Sequence, residues 1–257
     1  MDMNKCTKLI GVSSLLALLL SGCATKQDRD PWEGYNRAIF KFNQVTYDSV
    51  LIPAAKGYDY VVPTPVQLGI DNAYNNILEP GRMVNDLLQL NPDYLWRDTA
   101  RFVANTIFGV FGLFDVAKTM GLPRRTQNFG FTLAYWGYRY SPYFVVPILG
   151  PSTFGNSAGS LVDTVFNPIS YSAVAPPLIS WSAYGVYKAN EGVAYLPTYQ
   201  NLAQSSIDPY VAIRNAYLQN YDYNLDKTLE VKTSSHKEGK SQNQQAVLAI
   251  LNAEQDG

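Results

Sequence analysis

Residues 91–107 read NPDYLWRDTARFVANTI, and this stretch decides the fold class. Asn91 is a residue type that caps helix N-termini, and Pro92 suits the first helical position because its missing N–H would have no intrahelical partner there. Behind this start, larger side chains recur at three-to-four spacing, which is the period of one helix face. They are Leu95, Trp96, Thr99, Phe102, Val103 and Ile107. The stretch therefore predicts an α-helix with these side chains along one stripe.

The same start signal occurs at three other places, Asp30-Pro31, Thr64-Pro65 and Asp208-Pro209. The first predicts a helix from Pro31 to about Val50. Residues at helical spacing follow each start: Trp32, Tyr35, Ile39, Phe42 and Val45; Val66, Ile70, Tyr74 and Ile77; Val211, Ile213 and Tyr217. Strand alternation is weak throughout. We therefore predict a mainly α fold in a single helical domain, with long loops broken by proline and glycine between about residues 120 and 180.

The N-terminus carries the signature of an export signal. Lys5 and Lys8 are followed by an apolar run over residues 9–20, which suits a signal peptide and is too short to span a bilayer. The run ends in Leu20-Ser21-Gly22-Cys23, which resembles the lipobox of bacterial lipoproteins. In such proteins the cysteine is acylated, with palmitate among the chains, and becomes the first mature residue. The alternative is an ordinary secreted protein with a chance cysteine.

The lipobox implies a membrane anchor at Cys23. Two or more acyl chains hold a protein stably on a membrane, and a lipidated cysteine of this type carries three. Ala24 stands where an aspartate would resemble an inner-membrane retention signal, so the outer membrane is favoured. We expect a signal peptide over residues 1–22 and a lipidated N-terminus and linker over residues 23–30.

Composition excludes several classes of function. The only other cysteine, Cys6, is removed with the signal, so no disulfide or cysteine-based metal site is expected. The single histidine, His236, cannot form a metal cluster, and we expect no cofactor. A formal net charge of −1 argues against nucleic acid as a partner.

Residues 126–187 are poor in charge and rich in aromatic side chains. They carry two charges, Arg139 and Asp163, where the chain average of 16% predicts about ten. Prolines and glycines interrupt them too often for a transmembrane helix, whereas tyrosine and tryptophan favour the headgroup level of a bilayer. The alternative is the aromatic surface of a soluble protein, but a lipid on Cys23 would start the folded part against the membrane.

Four residues of this segment are candidates for a lipid path. Tyr138, Tyr143 and Trp181 are expected to contact acyl chains or to line a path, and Arg139 to contact the headgroup. A lone charge in so apolar a segment is costly unless it is paired or wetted. A salt bridge between Arg139 and Asp163 is the open alternative.

Gly155-Asn156-Ser157-Ala158-Gly159 fits the G-x-S-x-G pattern of lipase nucleophile elbows. A serine nucleophile needs a histidine held within hydrogen-bond reach, and His236 lies in a polar tail. We therefore interpret the pattern as a glycine-rich loop and expect no enzymatic activity; a serine lipase or esterase using Ser157 is the alternative.

Residues 226–257 form a polar C-terminal tail without any aromatic residue. Nine charges in these 32 positions predict a mobile, solvated segment that follows the folded domain at residues 31–225. An apolar island at residues 246–251 interrupts the tail. It is either a short docking helix or a marginal helix end.

Several separate motifs resemble the MlaA/VacJ family of lipoproteins. The resemblance covers about residues 30–223 in order. The matching stretches are Asp30 to Arg37, Phe40 to Asn43, Glu79-Pro80, Met83 to Asn85, Arg101 to Gly109, Phe114 to Ala117, Phe129-Gly130, Tyr140 to Tyr143, Asp208 to Tyr210 and Arg214 to Tyr217.

The resemblance implies a helical, ring-like domain embedded in the inner leaflet of the outer membrane, on its periplasmic face. Such lipoproteins maintain lipid asymmetry by removing misplaced phospholipids from the outer leaflet and passing them inward. The partners it implies are phospholipids, trimeric porins and a soluble periplasmic lipid-carrier protein. The competing hypothesis is a structural, porin-associated envelope lipoprotein that transports nothing.

Overall fold

Helices dominate the computed structural model, which describes residues 28–170 and 176–228. In chain order these parts contain α1 (Glu33–Thr46), a π-helical turn (Tyr47–Leu51), α2 (Ile52–Val61), α3 (Thr64–Leu88), α4 (Pro92–Ile107), α5 (Val116–Thr119), α6 (Phe129–Tyr135), β1 (Tyr143–Val146), β2 (Gly150–Thr153), α7 (Phe154–Phe166), a 3₁₀ turn (Pro168–Ser170), α8 (Pro177–Gln204) and α9 (209–228). The predicted mainly α class is confirmed.

Some predicted features lie outside the described residues, namely the signal segment, Cys23, and the tail beyond residue 228 with His236. The chain divides into two compact units, residues 1–218 and 219–257, and the description below concerns the first. Within the described residues, no helix has both the length and the apolarity that crossing a membrane requires.

Two of the four predicted helix starts are confirmed as side-chain caps. Asn91 Oδ1 accepts from the N–H of Tyr94 at 3.2 Å, and Asp208 Oδ1 accepts from the N–H of Val211 at 3.2 Å. Capping by Asp30 and Thr64 is wrong: α1 begins at Glu33, α3 begins at Thr64 itself, and neither has a side-chain cap. Asp30 is instead buried as an acceptor within the fold.

The first helical run continues past its predicted end near Val50 and reaches Val61. Pro53 has no N–H to donate, and in regular α geometry its ring would clash with the carbonyl of Ser49. Ser49 lies in the π-helical turn Tyr47–Leu51, whose wider spacing accommodates such a proline. The run therefore changes its hydrogen-bonding pattern where the sequence predicts an end.

The region predicted as long loops between residues 120 and 180 instead holds α6, a β-hairpin, α7 and the start of α8. The two strands are antiparallel, with Tyr143 opposite Thr153. Sequence periodicity missed α8 because apolar side chains surround it on all sides, from Leu178 to Leu196, and leave no single stripe.

Two asparagines of α1 complete the outer edge of the hairpin. Asn36 donates to the carbonyl of Tyr143 at 3.1 Å and accepts from the N–H of Val145 at 2.9 Å. Two helical turns later, Asn43 donates to the carbonyl of Val146 at 2.9 Å and accepts from the N–H of Ile148 at 2.6 Å. Their amide groups hydrogen-bond to the backbone edge as a third strand would. These bonds fix α1 against the hairpin.

An aromatic core joins α1, β1, α8 and the start of α9. Tyr143 packs edge-on against Tyr210, with ring centroids 6.2 Å apart, and Tyr47 packs against Tyr199 at 5.2 Å. The buried cluster comprises Phe40, Tyr47, Ile52, Tyr143, Val145, Leu196, Tyr199, Tyr210 and Ile213.

Candidate functional site: a polar interior beneath an apolar surface

The stripe predicted on α4 faces outward. Trp96 is 72% exposed and Ile107 is 65% exposed, whereas Asp98 and Arg101 on the opposite face are buried. A soluble protein shows the reverse arrangement, because water favours polar residues outside and apolar residues inside. The exterior of α4 therefore has the composition expected of a helix that contacts an apolar environment.

Exposed apolar and buried polar side chains also occur together on α1 and α3, although α1 in addition buries Phe40 and exposes Lys41. Their exposed side chains include Phe42, Val45, Val66, Leu68 and Leu87. Their buried residues include Asn36 and Asn43 on α1, and Asn75, Asn76, Glu79, Asn85 and Asp86 on α3. Buried polar groups are costly unless they are hydrogen-bonded, so their partners decide whether the interior is stable.

One buried cluster surrounds Arg101, which projects from α4. Its guanidinium pairs with Glu79 at 3.3 Å and with Asp115 at 3.2 Å, and it also donates to the carbonyl of Leu122. Glu79 additionally pairs with Arg82 at 3.0 Å. Arg101 therefore ties α3, α4 and the segment around α5 together through charge-assisted hydrogen bonds, which are stronger than neutral ones.

A second cluster surrounds Arg125. Its guanidinium lies 3.6 Å from the ring centre of Tyr94 and pairs with Asp86 at 2.9 Å and Asp98 at 2.8 Å. Burial raises the pKa of Asp86 to about 6; the charge of Arg125 opposes this shift, and the charge of Asp98 adds to it. Asp86 therefore takes up a proton at a higher pH than an ordinary aspartate does.

A chain of hydrogen bonds extends this cluster from α3 to α7. Asp86 accepts from Gln127, Gln127 donates to Gln89, and Gln89 donates to Thr132 at 2.8 Å. Thr132 then donates to Asn85, and Asn85 donates to Asp163 at 2.9 Å. Polar side chains thus link α3, α6 and α7.

The four candidate lipid-path residues lie in different surroundings. Tyr138 is 44% exposed and Trp181 is 73% exposed, as contact with lipid requires. Arg139 is half-buried, with its guanidinium 6.0 Å from the ring centre of Tyr140. Tyr143 is fully buried in the aromatic core, so it shares no surface with Tyr138 or Trp181.

The carboxylate of Asp163 has polar partners from two elements. It accepts from Asn85 and from the backbone N–H of Phe129 at 3.0 Å. Burial raises the pKa of Asp163, while these two hydrogen bonds and the charge of Arg82 oppose the shift. A salt bridge to Arg139 would compete with these contacts.

The lipase-like pattern has a packing explanation. Ser157 is the fourth residue of α7, inside the helix and not at its junction with β2, and its hydroxyl donates to Ser152 at 2.9 Å. A Cβ on Gly159 would lie 2.4 Å from the backbone nitrogen of Gly130. Gly159 is therefore required where α6 and α7 cross closely.

Sequence reasoning missed most of the polar interior. No recognisable sequence spacing links Asp86, Asp98 and Arg125, since Arg125 is 39 residues from Asp86. A usable signal was present on α4, where charged residues recur opposite the stripe with the period of the helix.

Comparisons with known proteins match one family over most of the described residues. Residues 28–224 match the family described as MlaA lipoprotein. The chain is 35% identical over 223 residues to the intermembrane phospholipid transport system lipoprotein MlaA of Escherichia coli, covering 82% of this chain and 87% of that one. It is 33% identical over 242 residues to the protein of the same name from Haemophilus influenzae, covering 89% and 95%.

A solved structure is also similar. Its description reads "Structural basis for maintenance of bacterial outer membrane lipid asymmetry". The match has a TM-score of 0.65 and 34% sequence identity, and it covers 76% of this chain and 98% of that chain.

Proposed function

The chain belongs to the MlaA lipoprotein family, and on this premise we propose that it is an outer-membrane lipoprotein of intermembrane phospholipid transport. It removes misplaced phospholipids from the outer leaflet and passes them inward to a periplasmic carrier. The inverted surface supports this most directly, because the outward apolar stripe of α4 and the exposed apolar side chains of α1 and α3 suit a protein seated among lipid chains. The anchor is the lipid on Cys23.

The physical task is to move acyl chains without exposing them to water. A phospholipid has two acyl chains of about 15 methylenes, and each buried methylene contributes roughly 0.8 kcal/mol. Free escape of the lipid into water would therefore cost on the order of 24 kcal/mol. The exposed aromatic residues Tyr138 and Trp181 are proposed to contact these chains, with Arg139 near the headgroup. Trimeric porins and the carrier are proposed partners, and the tail at residues 226–257 is proposed to bind the carrier.

Outer-leaflet phospholipid content tests the transport function. A membrane-impermeant amine reagent should label more phosphatidylethanolamine in a strain that lacks the gene than in the parent strain. The wild-type gene should restore the low level, and Cys23→Ser should not. Equal labelling in deleted and parent strains, with porin association retained, would establish the structural alternative.

Lipid photo-crosslinkers test the path. Crosslinkers at Tyr138 and Trp181 should form lipid adducts, and one at the buried Tyr143 serves as the control. Adducts absent from the two exposed positions would refute their assignment.

A further inference from the structure

Two ion pairs from three parts of the chain meet at the surface beside α8. Asp71 of α3 pairs with Arg124, which lies between α5 and α6, at 3.0 Å. Lys188 pairs with Glu191 at 2.5 Å, and α8 carries no other charged residue. These four residues are called the charge quartet below. With two acids and two bases, the quartet has no net charge.

The charge quartet surrounds the hydroxyl group of Tyr187 on α8. Burial raises the pKa of Tyr187, the two acids of the quartet add to this shift, and its two bases oppose it. All four charges therefore lie near that hydroxyl group. The ring of Tyr187 stacks on the buried ring of Tyr74 on α3, with centroids 4.1 Å apart. The stack fixes α8 against α3 at the point where the charges converge.

The ammonium group of Lys188 lies near two aromatic rings. Its Nζ is 5.8 Å from the ring centre of Tyr184 and 5.7 Å from that of Tyr187. Aromatic faces attract cations, and such rings bind the ammonium groups of ligands in other proteins. A ligand's ammonium group at this place would meet two rings and the carboxylate of Glu191. Lys188 would then be free to pair with a phosphate.

Both ion pairs of the quartet are accessible, unlike those of the polar interior. Their side chains are 29–48% exposed, whereas those of Arg101 and Glu79 are 3% and 2% exposed. Exposed ion pairs contribute little to stability, because water solvates the separated charges well. A ligand that carries charges of both signs can therefore exchange partners with the quartet at small cost.

We propose that the charge quartet binds the headgroup of a zwitterionic phospholipid, whose ammonium group pairs with Glu191 over the tyrosine rings and whose phosphate pairs with Lys188. The inference rests on the proposed function, in which the protein carries phospholipid. An anionic headgroup lacks the ammonium group and would leave the acids of the quartet without a partner, so the site selects against it. Trp181 and Val186, exposed on the same helix, provide apolar contacts for the acyl chains.

Lipid competition tests this inference on the full lipoprotein in neutral detergent micelles. The protein is offered equal amounts of phosphatidylethanolamine, which is zwitterionic, and phosphatidylglycerol, which is anionic, with identical acyl chains. Mass spectrometry of the bound lipid should show several-fold more phosphatidylethanolamine. Glu191→Gln should abolish or reverse this preference, because Lys188 then attracts the anionic lipid. Glu33→Gln is the control, since Glu33 forms an ion pair on α1 with almost the same exposure, 47% against 48%.

Two further variants separate the charge of the site from its folding. Lys188→Glu combined with Glu191→Lys keeps the quartet neutral, so it should restore the preference that Glu191→Gln loses. Asp71→Asn, on another helix, should weaken the preference in the same direction as Glu191→Gln. Glycerophosphoethanolamine has the same headgroup without acyl chains, and it should displace the lipid from the wild-type protein only at far higher concentration.

Several outcomes would overturn the inference. Equal retention of both lipids by the wild-type protein would exclude selection for a zwitterion. A lipid ratio for Glu191→Gln equal to that for Glu33→Gln would place the headgroup elsewhere, and displacement by glycerophosphoethanolamine at the lipid's own concentration would assign the quartet to a soluble ligand. Equal retention in a transport-competent protein refutes this inference alone, whereas a preference lost in Glu191→Gln, in a protein without transport, refutes the proposed function alone.

Discussion

Replacing Asn36 by alanine should destabilise the protein strongly, because its side chain makes hydrogen bonds to the backbone of β1 that a neighbouring strand would otherwise make. The amide donates to Asp30 at 2.8 Å and to the carbonyl of Tyr143, and it accepts from the N–H of Val145. Asn36→Ala leaves two buried backbone groups without a partner, at about 1–3 kcal/mol each, so we expect a loss of about 4 kcal/mol.

Thermal unfolding in detergent micelles, followed by circular dichroism, measures this loss. At about 2–4 °C per kcal/mol for a chain of this size, Tm should fall by roughly 8–16 °C. Asn36→Asp should be at least as damaging, because it places a second carboxylate beside Asp30 and removes both donated hydrogen bonds. The control is Asn201→Ala at an exposed position of α8, which should shift Tm little. A Tm for Asn36→Ala within 2 °C of that control would refute the reasoning.

Three further predictions concern the polar interior and the glycine-rich pattern. Burial raises the pKa of Asp86 to about 6 from its ordinary value of 3.8, so the folded state binds the proton more tightly than the unfolded state does; stability should rise by about 1 kcal/mol as pH falls from 7 to 5, and thermal unfolding of Asp86→Asn should lack this rise. Gly159→Ala should cost about 1–3 kcal/mol in thermal unfolding because its Cβ would meet Gly130, whereas Gly185→Ala, with open space around it, should gain up to about 1 kcal/mol. Ser157→Ala should leave outer-leaflet phospholipid at the wild-type level, and labelling of the parent protein by a serine-directed probe would revive the lipase alternative.

Local chemistry was predictable from the sequence, and long-range pairing was not. Asn91 and Asp208 cap their helices because capping depends on three or four adjacent residues. Asp30 has the same local signature, but its carboxylate accepts from Arg214, which lies 184 residues away. No neighbouring residue indicates such a partner.

Periodicity predicted the faces of α4 correctly but could not indicate which face is buried. The stripe with Trp96 and Ile107 would cover a core in a soluble protein, and here it faces outward. Aromatic composition has the same limitation, since Tyr138 is exposed and Tyr143 is buried within a segment of uniform composition. Burial depends on the surrounding solvent as well as on the sequence.

The exposed apolar side chains of α1, α3 and α4 also bear on how this protein would reach the proposed membrane site. A folded chain with Phe42, Trp96 and Phe111 exposed would self-associate in an aqueous compartment, because large contiguous apolar patches on a protein surface drive association. With the proposed membrane location, we therefore expect transit of the folded chain through water to need an escort that shields these side chains. The exterior of this fold would therefore be constrained by transport to the membrane as well as by stability within it.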